Sequence, residues 1–357
     1  MTVDATTILP PLFRCLETLG IIARHFDPSE FGAVMEAVGT PDAALREART
    51  QLSDADAADD VNASLAASSD AALAAFDGLR AALDGGDIMA VFRALRYAPR
   101  AQEALYPLAA HIPAVNGFFL DPSVRDDADV VARAMTPPRD GETGIVHVDN
   151  ERGSRGGHSL YVPETYTPDR AWPLIVGLHG GSGNGRDFLW TWLRDARTFG
   201  AILATPTSTG NSLGNTWALM GDDNDTPNLA RIVDNVRARY AIDLKRMLLT
   251  GLSDGGTFSY VTGFETASPF THLAPVSATF HPMLIETADR GRLKGLPIHL
   301  THGKKDWMFP VEVARQAQRA LSAAGADVTY REIDDLAHTY PREINPALLT
   351  WLNKSSS

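Results

Sequence analysis

From residue 172 onward, short apolar runs alternate with segments in which apolar residues recur at helical spacing. The apolar runs, rich in Val, Ile and Leu, are 173–178, 201–205, 246–251, 272–276, 297–301 and 327–333. The helical patterns between and after them cover 185–200, 226–240, 256–265, 310–324 and about 346–353. Apolar strands separated by amphipathic helices predict a mostly parallel sheet covered by helices on both faces. In such a sheet, functional sites form at the carboxyl ends of the strands.

The first 137 residues are of a different kind, because strand-like runs are rare and apolar residues recur at helical spacing. We predict five or six helices there, over 8–26, 31–38, a segment from Thr40-Pro41 to 52, 62–83, 87–97 and 101–112, with a loop at 53–60. The charged stretch 121–144 is predicted to be a linker. Two strands, 144–149 and 158–166, follow it. The predicted organisation is an all-helical domain over 1–137 and an α/β domain over 143–354.

Length and charge set broad limits on function. A chain of 357 residues suits two domains. The net charge of −12 argues against nucleic-acid binding and against attachment to an anionic membrane by bulk electrostatics. The single cysteine, Cys15, lies in an apolar-periodic stretch and is expected to be a packed core thiol. The N-terminus shows no basic and apolar signal pattern, and no apolar run reaches about 18 residues. A cytoplasmic protein without membrane spans is therefore expected.

The segment Gly251-Leu252-Ser253-Asp254-Gly255 joins a predicted strand to a predicted helix. A serine on so tight a turn points its oxygen out of the sheet, and the crowded backbone needs glycine two positions to either side. The following helix directs its N-terminal N–H groups at the place where negative charge would develop. Ser253 is therefore the candidate nucleophile. The alternative is a serine that only caps the helix.

A glycine-rich loop, 178–185, follows the strand 173–178. Its glycines allow the backbone to approach a ligand closely, and one use of such a loop is an oxyanion hole. Gly181 is the expected N–H donor and Gly180 the alternate, with the N–H of Asp254 as the second donor. Phosphate binding is a further possibility, but no Gly-Lys-Ser/Thr ending follows. A simple tight turn is the third. His179 is expected to be structural.

Candidates for the acid and the base come after the last two predicted strands. Asp306 follows 297–301, where its carboxylate could orient an imidazole, and His338 follows 327–333, where it could act as general base. Asp334 and Asp335 compete for the role of the acid but lie too close to His338 in sequence. His302 is the other possible base, although a packed supporting role suits its place directly after a strand better.

Apolar side chains near strand ends could form the substrate pocket. Trp217, Trp307 and Met308, together with Phe309, would line an apolar acyl pocket, or they would be part of the core. The polar segment 215–225 could suggest a calcium loop, but it lacks the Gly and the bidentate Glu of such loops. It is better interpreted as the entry to a helix. We expect no metal and no organic cofactor.

In the order glycine loop, Ser, Asp and His, the segment from about 143 to 354 resembles the α/β-hydrolase family. The shared motifs are Leu178-His179-Gly180-Gly181, Trp217 with Gly221-Asp222-Asp223, Gly251 to Gly256, His302-Gly303-Lys304-Lys305-Asp306, and Ala337-His338. The resemblance is nearest to poly(3-hydroxybutyrate) depolymerase-like and feruloyl-esterase-like enzymes and to phospholipase/carboxylesterases. Asp254 departs from the Ala, Asn or Gln expected at its place. The resemblance implies an α/β-hydrolase fold, with a helical N-terminal addition, and a serine esterase with the triad Ser253, His338 and Asp306.

Several alternatives stay open for function. The same triad could cleave peptides or amides, act on thioesters, or transfer acyl groups, and the fold could also serve as a binding module without catalysis. The expected partner is a small-molecule or oligomeric ester. The helical region carries no chemistry of its own, so we expect it to cover the site or to mediate formation of a homo-oligomer.

Overall fold

The computed structural model describes residues 5–52, 60–139, 141–210, 216–219 and 222–354. By its contacts, the chain divides into two compact units, Met1–Pro137 and Pro138–Ser357. Each unit is treated by itself below. The predicted loop at 53–60 lies, except for Asp60, outside the described residues.

The first unit is helical throughout its described part. Its eight α-helices there are α1 (Ala5–His25), α2 (Phe31–Val38), α3 (Ala43–Thr50), α4 (Asp60–Gly85), α5 (Ile88–Leu95), α6 (Tyr97–Leu105), α7 (Pro113–Phe118) and α8 (Ala128–Ala134). The prediction of five or six helices was too low for two reasons. The predicted helix 101–112 ends at Leu105 in a 3-10 turn, and a further helix, α7, begins at Pro113, beyond the predicted range. The predicted linker contains α8, whose first turn is capped by the Asp127 carboxylate.

Helix α1 forms part of the core of this unit. Its buried residues, Ile8, Leu9, Leu12, Cys15, Leu16, Leu19 and Ile22, repeat at helical spacing. Burial raises the pKa of the Cys15 thiol from 9.0 to about 12, which confirms the expected core thiol. By length and mean composition, α1 is also the one described helix that could cross a membrane, so the prediction of no membrane span stays a prediction. Core helices and signal sequences share this composition, so α1 carries no assignment of location.

The described part of the second unit is built on one sheet of eight strands. They are β1 (Gly144–Val148), β2 (His158–Val162), β3 (Trp172–Leu178), β4 (Ile202–Pro206), β5 (Ile242–Leu252), β6 (His272–Val276), β7 (Pro297–Gly303) and β8 (Asp327–Ile333). Their order in the sheet is β1-β2-β4-β3-β5-β6-β7-β8. The pairs β1–β2 and β2–β4 are antiparallel, and all the other pairs are parallel. The predicted mostly parallel sheet is confirmed.

In the described part of this unit, α-helices follow the strands from β3 onward. They are α9 (Gly185–Phe199), α10 (Asp225–Arg239), α11 (Asp254–Gly263), α12 (Met283–Thr287), α13 (Arg290–Leu293), α14 (Val311–Ala323) and α15 (Asn345–Lys354). Strand β3 is buried along its whole length, and the same holds for β4 and β6. Such burial is expected where helices cover both faces of a sheet. Because β3, β5, β7 and β8 run in the same direction, their carboxyl ends lie at one edge of the sheet, and the candidate residues follow them.

Candidate active site

Ser253 lies on a sharp turn between β5 and α11. Its backbone φ is +56°, a region that residues other than glycine rarely adopt. Its N–H donates a hydrogen bond to the carbonyl of Val276 at 2.9 Å, which ties the turn to the end of β6. Ser253 is 5% exposed. Such strained turns persist where the surrounding structure fixes them, and they are concentrated at functional sites.

The two glycines of the Gly-x-Ser-x-Gly motif are required by close backbone contacts. A Cβ atom on Gly251 would lie 2.5 Å from the carbonyl carbon of Gly255. A Cβ atom on Gly255 would lie 2.5 Å from the carbonyl oxygen of His179. The second contact joins the nucleophile turn to the glycine loop after β3, so the spacing of the motif reflects the approach of these two loops.

The glycine loop packs directly on this turn. A Cβ atom on Gly180 would lie 3.5 Å from both the Leu252 carbonyl oxygen and the Ser253 Cβ. Gly181, which is partly exposed, follows in a turn closed by a bond from the Gly183 N–H to the Gly180 carbonyl, 3.0 Å. Asp254, also partly exposed, begins α11 on the other side of Ser253. The loop and the helix terminus thus flank the serine.

His179 holds the glycine loop in place through both ring nitrogens. The Ser208 N–H donates to Nε2 at 3.1 Å, so Nδ1 carries the proton and lies 2.7 Å from the Gly180 carbonyl oxygen. The ring also packs against Trp217, tilted by 41°, with 4.7 Å between centroids. His179 therefore has the structural role expected for it.

Trp217 lies in the core and is 1% exposed. Its indole N–H donates to the His179 carbonyl at 2.7 Å, and its ring stacks on Phe258 at 5.5 Å between centroids. These contacts agree with the core alternative and disagree with the pocket prediction, because a side chain so buried presents no surface to a substrate. Part of the segment in which it lies, at Asn215, Met220 and Gly221, is outside the described residues.

The described end of that segment behaves as a helix entry. The Asp223 carboxylate accepts N–H bonds from Asp225 at 3.1 Å and from Thr226 at 2.9 Å. The Asp225 carboxylate accepts the Thr209 N–H at 2.7 Å. Among the described residues, no group of three or more His, Cys, Asp and Glu is placed to hold a metal ion.

Asp306 and His338 form a close pair at the ends of β7 and β8. The His338 Nδ1 lies 2.9 Å from Oδ2 and 3.0 Å from Oδ1 of Asp306. The His338 side chain is 6% exposed and the Asp306 side chain is 0% exposed. Burial by itself would raise the pKa of Asp306, but hydrogen bonds and charge interaction with His338, and the Phe309 N–H, outweigh it and hold the pKa below its ordinary value. The carboxylate thus stays ionised and fixes the proton of His338 on Nδ1.

His302 supports the carboxylate from the other side. Its Nε2 donates to the Phe309 carbonyl at 2.8 Å and lies 3.3 Å from the Asp306 Oδ2. Among the competing acids, Asp334 has a side chain that is 86% exposed and pairs with Lys304 at 2.7 Å. Asp335 is exposed as well. The structure therefore brings Asp306, and neither of these, to the imidazole of His338.

An apolar group of side chains lies beside His338. The Phe309 ring meets its imidazole edge to face at 5.1 Å, and the Trp307 ring lies at 6.4 Å. Met308 and Phe309 each donate a backbone N–H to the Asp306 Oδ1, at 3.0 Å and 2.8 Å. Trp307 and Met308 are partly exposed, so their role as substrate contacts stays a prediction.

One residue that positions the glycine loop was missed by sequence reasoning. Arg155, in the connection from β1 to β2, donates from Nη1 to the Gly183 carbonyl at 2.8 Å. The neighbours of Arg155 in this Gly- and Arg-rich turn give no indication of such a contact. Only the fold brings it to a loop that is 28 residues away in sequence.

Sequence comparison relates the second unit to esterases. Residues 221–356 match the model of the Phospholipase/Carboxylesterase family. The chain is 28% identical over 207 residues to the bifunctional acetylxylan esterase/xylanase XynS20E of Neocallimastix patriciarum, covering 56% of this chain and 29% of that protein. It is 31% identical over 125 residues to a probable feruloyl esterase C of Aspergillus terreus, covering 33% and 44%. The chain thus matches less than half the length of each of these two relatives.

Among the solved structures that the chain matches is a ferulic acid esterase, at 15% identity and a TM-score of 0.49, with 59% of this chain and 97% of that one covered. Another is esterase PE8, at 19% identity and a TM-score of 0.45, with 58% and 99% covered. The fold class was predicted from the alternating strands and helices, and the observed sheet and the family match confirm it. The C-terminal part of the chain is thus similar to the Phospholipase/Carboxylesterase family of α/β-hydrolases, and both relatives named above carry esterase in their names.

Proposed function

We propose that this protein hydrolyses carboxylic esters, with Ser253 as nucleophile, His338 as general base and Asp306 as the acid that orients it. The observation that carries the proposal is the buried pair of His338 and Asp306, 2.9 Å apart, on the same edge of the sheet as the strained turn of Ser253. The matches to an acetylxylan esterase and to a feruloyl esterase support esters as the substrate class.

The reaction begins with attack of the Ser253 Oγ on the ester carbonyl carbon. Because Asp306 holds the proton of His338 on Nδ1, the lone pair of Nε2 is available to take the proton of the serine. The carbonyl oxygen gains negative charge and accepts N–H bonds from Asp254 and from Gly181, with Gly180 as the alternate donor. Collapse of this intermediate breaks the bond to the alcohol, which leaves with the proton from His338.

The acyl-enzyme is then hydrolysed by the same groups. His338 takes a proton from water, the resulting hydroxide attacks the acyl carbon, and Ser253 leaves with the proton returned by His338. We propose that Trp307 and Met308, which are partly exposed beside His338, contact the apolar part of the ester. A feruloyl or short acyl group on a carbohydrate, as in the names of the relatives, is the substrate type to test first.

Labelling with a fluorophosphonate tests the nucleophile. Wild-type protein should gain one covalent adduct, on the peptide that contains Ser253, and Ser253→Ala should gain none. Ser277→Ala is the matched control, because Ser277 is also a buried serine with positive φ, of 46°, and lies directly after the adjacent strand β6. Labelling that persists in Ser253→Ala, or that is lost in Ser277→Ala with the fold intact, would refute the assignment.

A substrate panel tests the reaction class. We expect turnover of p-nitrophenyl esters and of methyl ferulate, and much slower cleavage of aminoacyl p-nitroanilides, because the amide needs stronger assistance to its leaving group. Comparable rates on amides would favour the peptidase alternative. Formation of a new ester in the presence of an added alcohol, faster than hydrolysis, would favour an acyltransferase.

A further inference from the structure

The base and the nucleophile come from strands that are not neighbours. Ser253 follows β5 and His338 follows β8, with β6 and β7 between them in the sheet. Adjacent strands lie about 4.8 Å apart, so β8 is about 14 Å from β5. The segment after β8 must therefore run back across the ends of β6 and β7. A direct contact with β5 would fix the position of this segment relative to the nucleophile strand.

Tyr340 makes such a contact. It lies two residues after His338 and is 7% exposed. Its hydroxyl is 3.3 Å from the Oγ1 of Thr250, which stands on β5 three residues before Ser253. The Thr250 Oγ1 also lies 2.8 Å from the Ala274 carbonyl oxygen of β6, and its one proton is shared between that carbonyl and the Tyr340 oxygen, which accepts it. The loop of His338 is thereby joined to the strand that carries the nucleophile.

The ring of Tyr340 packs against two aromatic side chains of α9. Phe188 meets it edge to face with 5.6 Å between centroids, and Trp192 lies at 6.1 Å. Burial raises the pKa of Tyr340 well above its ordinary value, so the hydroxyl keeps its proton over the whole working range of pH. The side chain therefore has little freedom, and its hydroxyl remains a donor.

The partner of that donor is fixed as well. The Tyr340 hydroxyl donates to the Oδ1 of Asn345 at 3.1 Å. The amide nitrogen of Asn345 donates to the Thr191 carbonyl at 3.0 Å and to the Asp195 carboxylate at 2.9 Å. Because both amide protons are used, the oxygen of Asn345 can only face Tyr340. A continuous set of buried hydrogen bonds thus links α9 and α15 to β5 through this tyrosine.

We propose that Tyr340 is a positioning residue for ester hydrolysis, its hydroxyl holding the His338 loop at a set distance from the strand that ends at Ser253. The inference rests on the proposed function. Proton transfer between serine and imidazole is sensitive to fractions of an ångström, and small misplacements of a reacting group can reduce rates by up to about 100-fold. Loss of the hydroxyl should therefore slow the chemistry and leave substrate binding nearly unchanged.

The experiment compares Tyr340→Phe, Thr250→Val and the double variant with wild type. For each single variant we expect the rate constant of fluorophosphonate labelling at Ser253, and kcat on p-nitrophenyl acetate, to fall about 10-fold, with KM within about twofold. The double variant should show the same 10-fold loss as each single variant, because the two hydroxyls act through one contact.

Tyr166→Phe is the matched control. Tyr166 is also 7% exposed, and its hydroxyl accepts the Ala241 N–H at 3.0 Å, near the opposite end of β5. It should lose stability like Tyr340→Phe and keep wild-type rates at a temperature where all variants are folded. A merely structural role of Tyr340 would give the two variants the same kinetics.

The outcomes separate this inference from the proposed function. If wild-type protein is not labelled at Ser253, both the proposed function and this inference are wrong. If wild type is labelled and Tyr340→Phe reacts at the same rate, only the inference is wrong. It is also wrong if Tyr166→Phe slows as much, or if the losses of the two single variants multiply to about 100-fold in the double variant.

Discussion

Replacing Asp306 with asparagine tests the arrangement of the acid. The Oδ1 of Asp306 accepts the N–H groups of Met308 and Phe309, whereas Oδ2 faces the Nδ1 of His338 and the Nε2 of His302. In Asp306→Asn the two backbone donors keep the amide oxygen at the Oδ1 position. The new NH2 group must then face both imidazoles, of which His302 is already a donor to the Phe309 carbonyl. His338 can accept from this NH2 group only in the tautomer with its proton on Nε2.

That tautomer cannot take a proton from Ser253, so the effect on kcat should be large. Loss of the orienting acid in a triad of this kind costs about 10³- to 10⁴-fold in kcat, or about 4–5.5 kcal/mol of transition-state stabilisation. The free energy of unfolding should fall by about 1–3 kcal/mol, because buried donors then meet a donor. Steady-state kinetics on p-nitrophenyl acetate, with urea unfolding on the same samples, measure the two effects separately.

The control is Asp334→Asn. This change also removes one negative charge, here from the segment that carries His338. The Asp334 side chain, however, is 86% exposed and pairs only at the surface with Lys304. Surface pairs contribute about 0–1 kcal/mol, so both activity and stability should stay close to wild type. An Asp306→Asn protein within tenfold of wild-type kcat, or an Asp334→Asn protein with an equal loss, would refute the reasoning.

Two further predictions concern stability. Burial, and to a lesser degree Arg231, lower the pKa of His158 from 6.5 to about 4, so the unfolded chain binds more protons than the folded one between these values. The free energy of unfolding should therefore fall by about 3 kcal/mol from pH 7 to pH 4 through this group. In His158→Asn, urea unfolding at the two pH values should show a loss that is smaller by about this amount. Gly255→Ala should lose about 1–3 kcal/mol and most activity, because its Cβ would lie 2.5 Å from the His179 carbonyl oxygen. Gly20→Ala is the control, because its Cβ meets nothing within 4 Å outside its own helix in the described structure, and its free energy of unfolding should rise by up to about 1 kcal/mol. An equal loss of stability in both variants would contradict the close contact between Gly255 and the His179 carbonyl.

The parts of the structure that could be predicted are those with a local cause. Strands β6 and β8 have the predicted bounds, because apolar runs and turn residues mark both of their ends. The carboxyl end of β3 was predicted at the observed residue, and those of β5 and β7 were predicted one and two residues early. Helix α8 also had a local signal, since Asp127 is a typical N-cap, but the charged stretch around it was interpreted as a linker.

The parts that could not be predicted depend on contacts between distant segments. Tyr340 and Thr250 are 90 residues apart in sequence, and Trp217 and His179 are 38 apart. Nothing in the immediate neighbourhood of a tyrosine or a tryptophan indicates which loop its polar atom will meet. The place of β4 between β2 and β3 is equally hidden, because an antiparallel edge and a parallel crossover are built from the same kind of apolar strand.

The two interpretations of Trp217 show how such a contact decides a role. As an apolar residue near a strand end, it suited a substrate pocket and a core equally well. The deciding fact is that the glycine loop bends its backbone away from regular pairing, which leaves the His179 carbonyl in need of a donor within a buried region. The indole N–H supplies that donor at 2.7 Å while the ring fills the space behind the loop. A phenylalanine could fill the space but not satisfy the carbonyl, and a serine could satisfy it but not fill the space. The buried space behind His179 therefore suits a side chain that is both large and able to donate a hydrogen bond, and Trp217 has both properties.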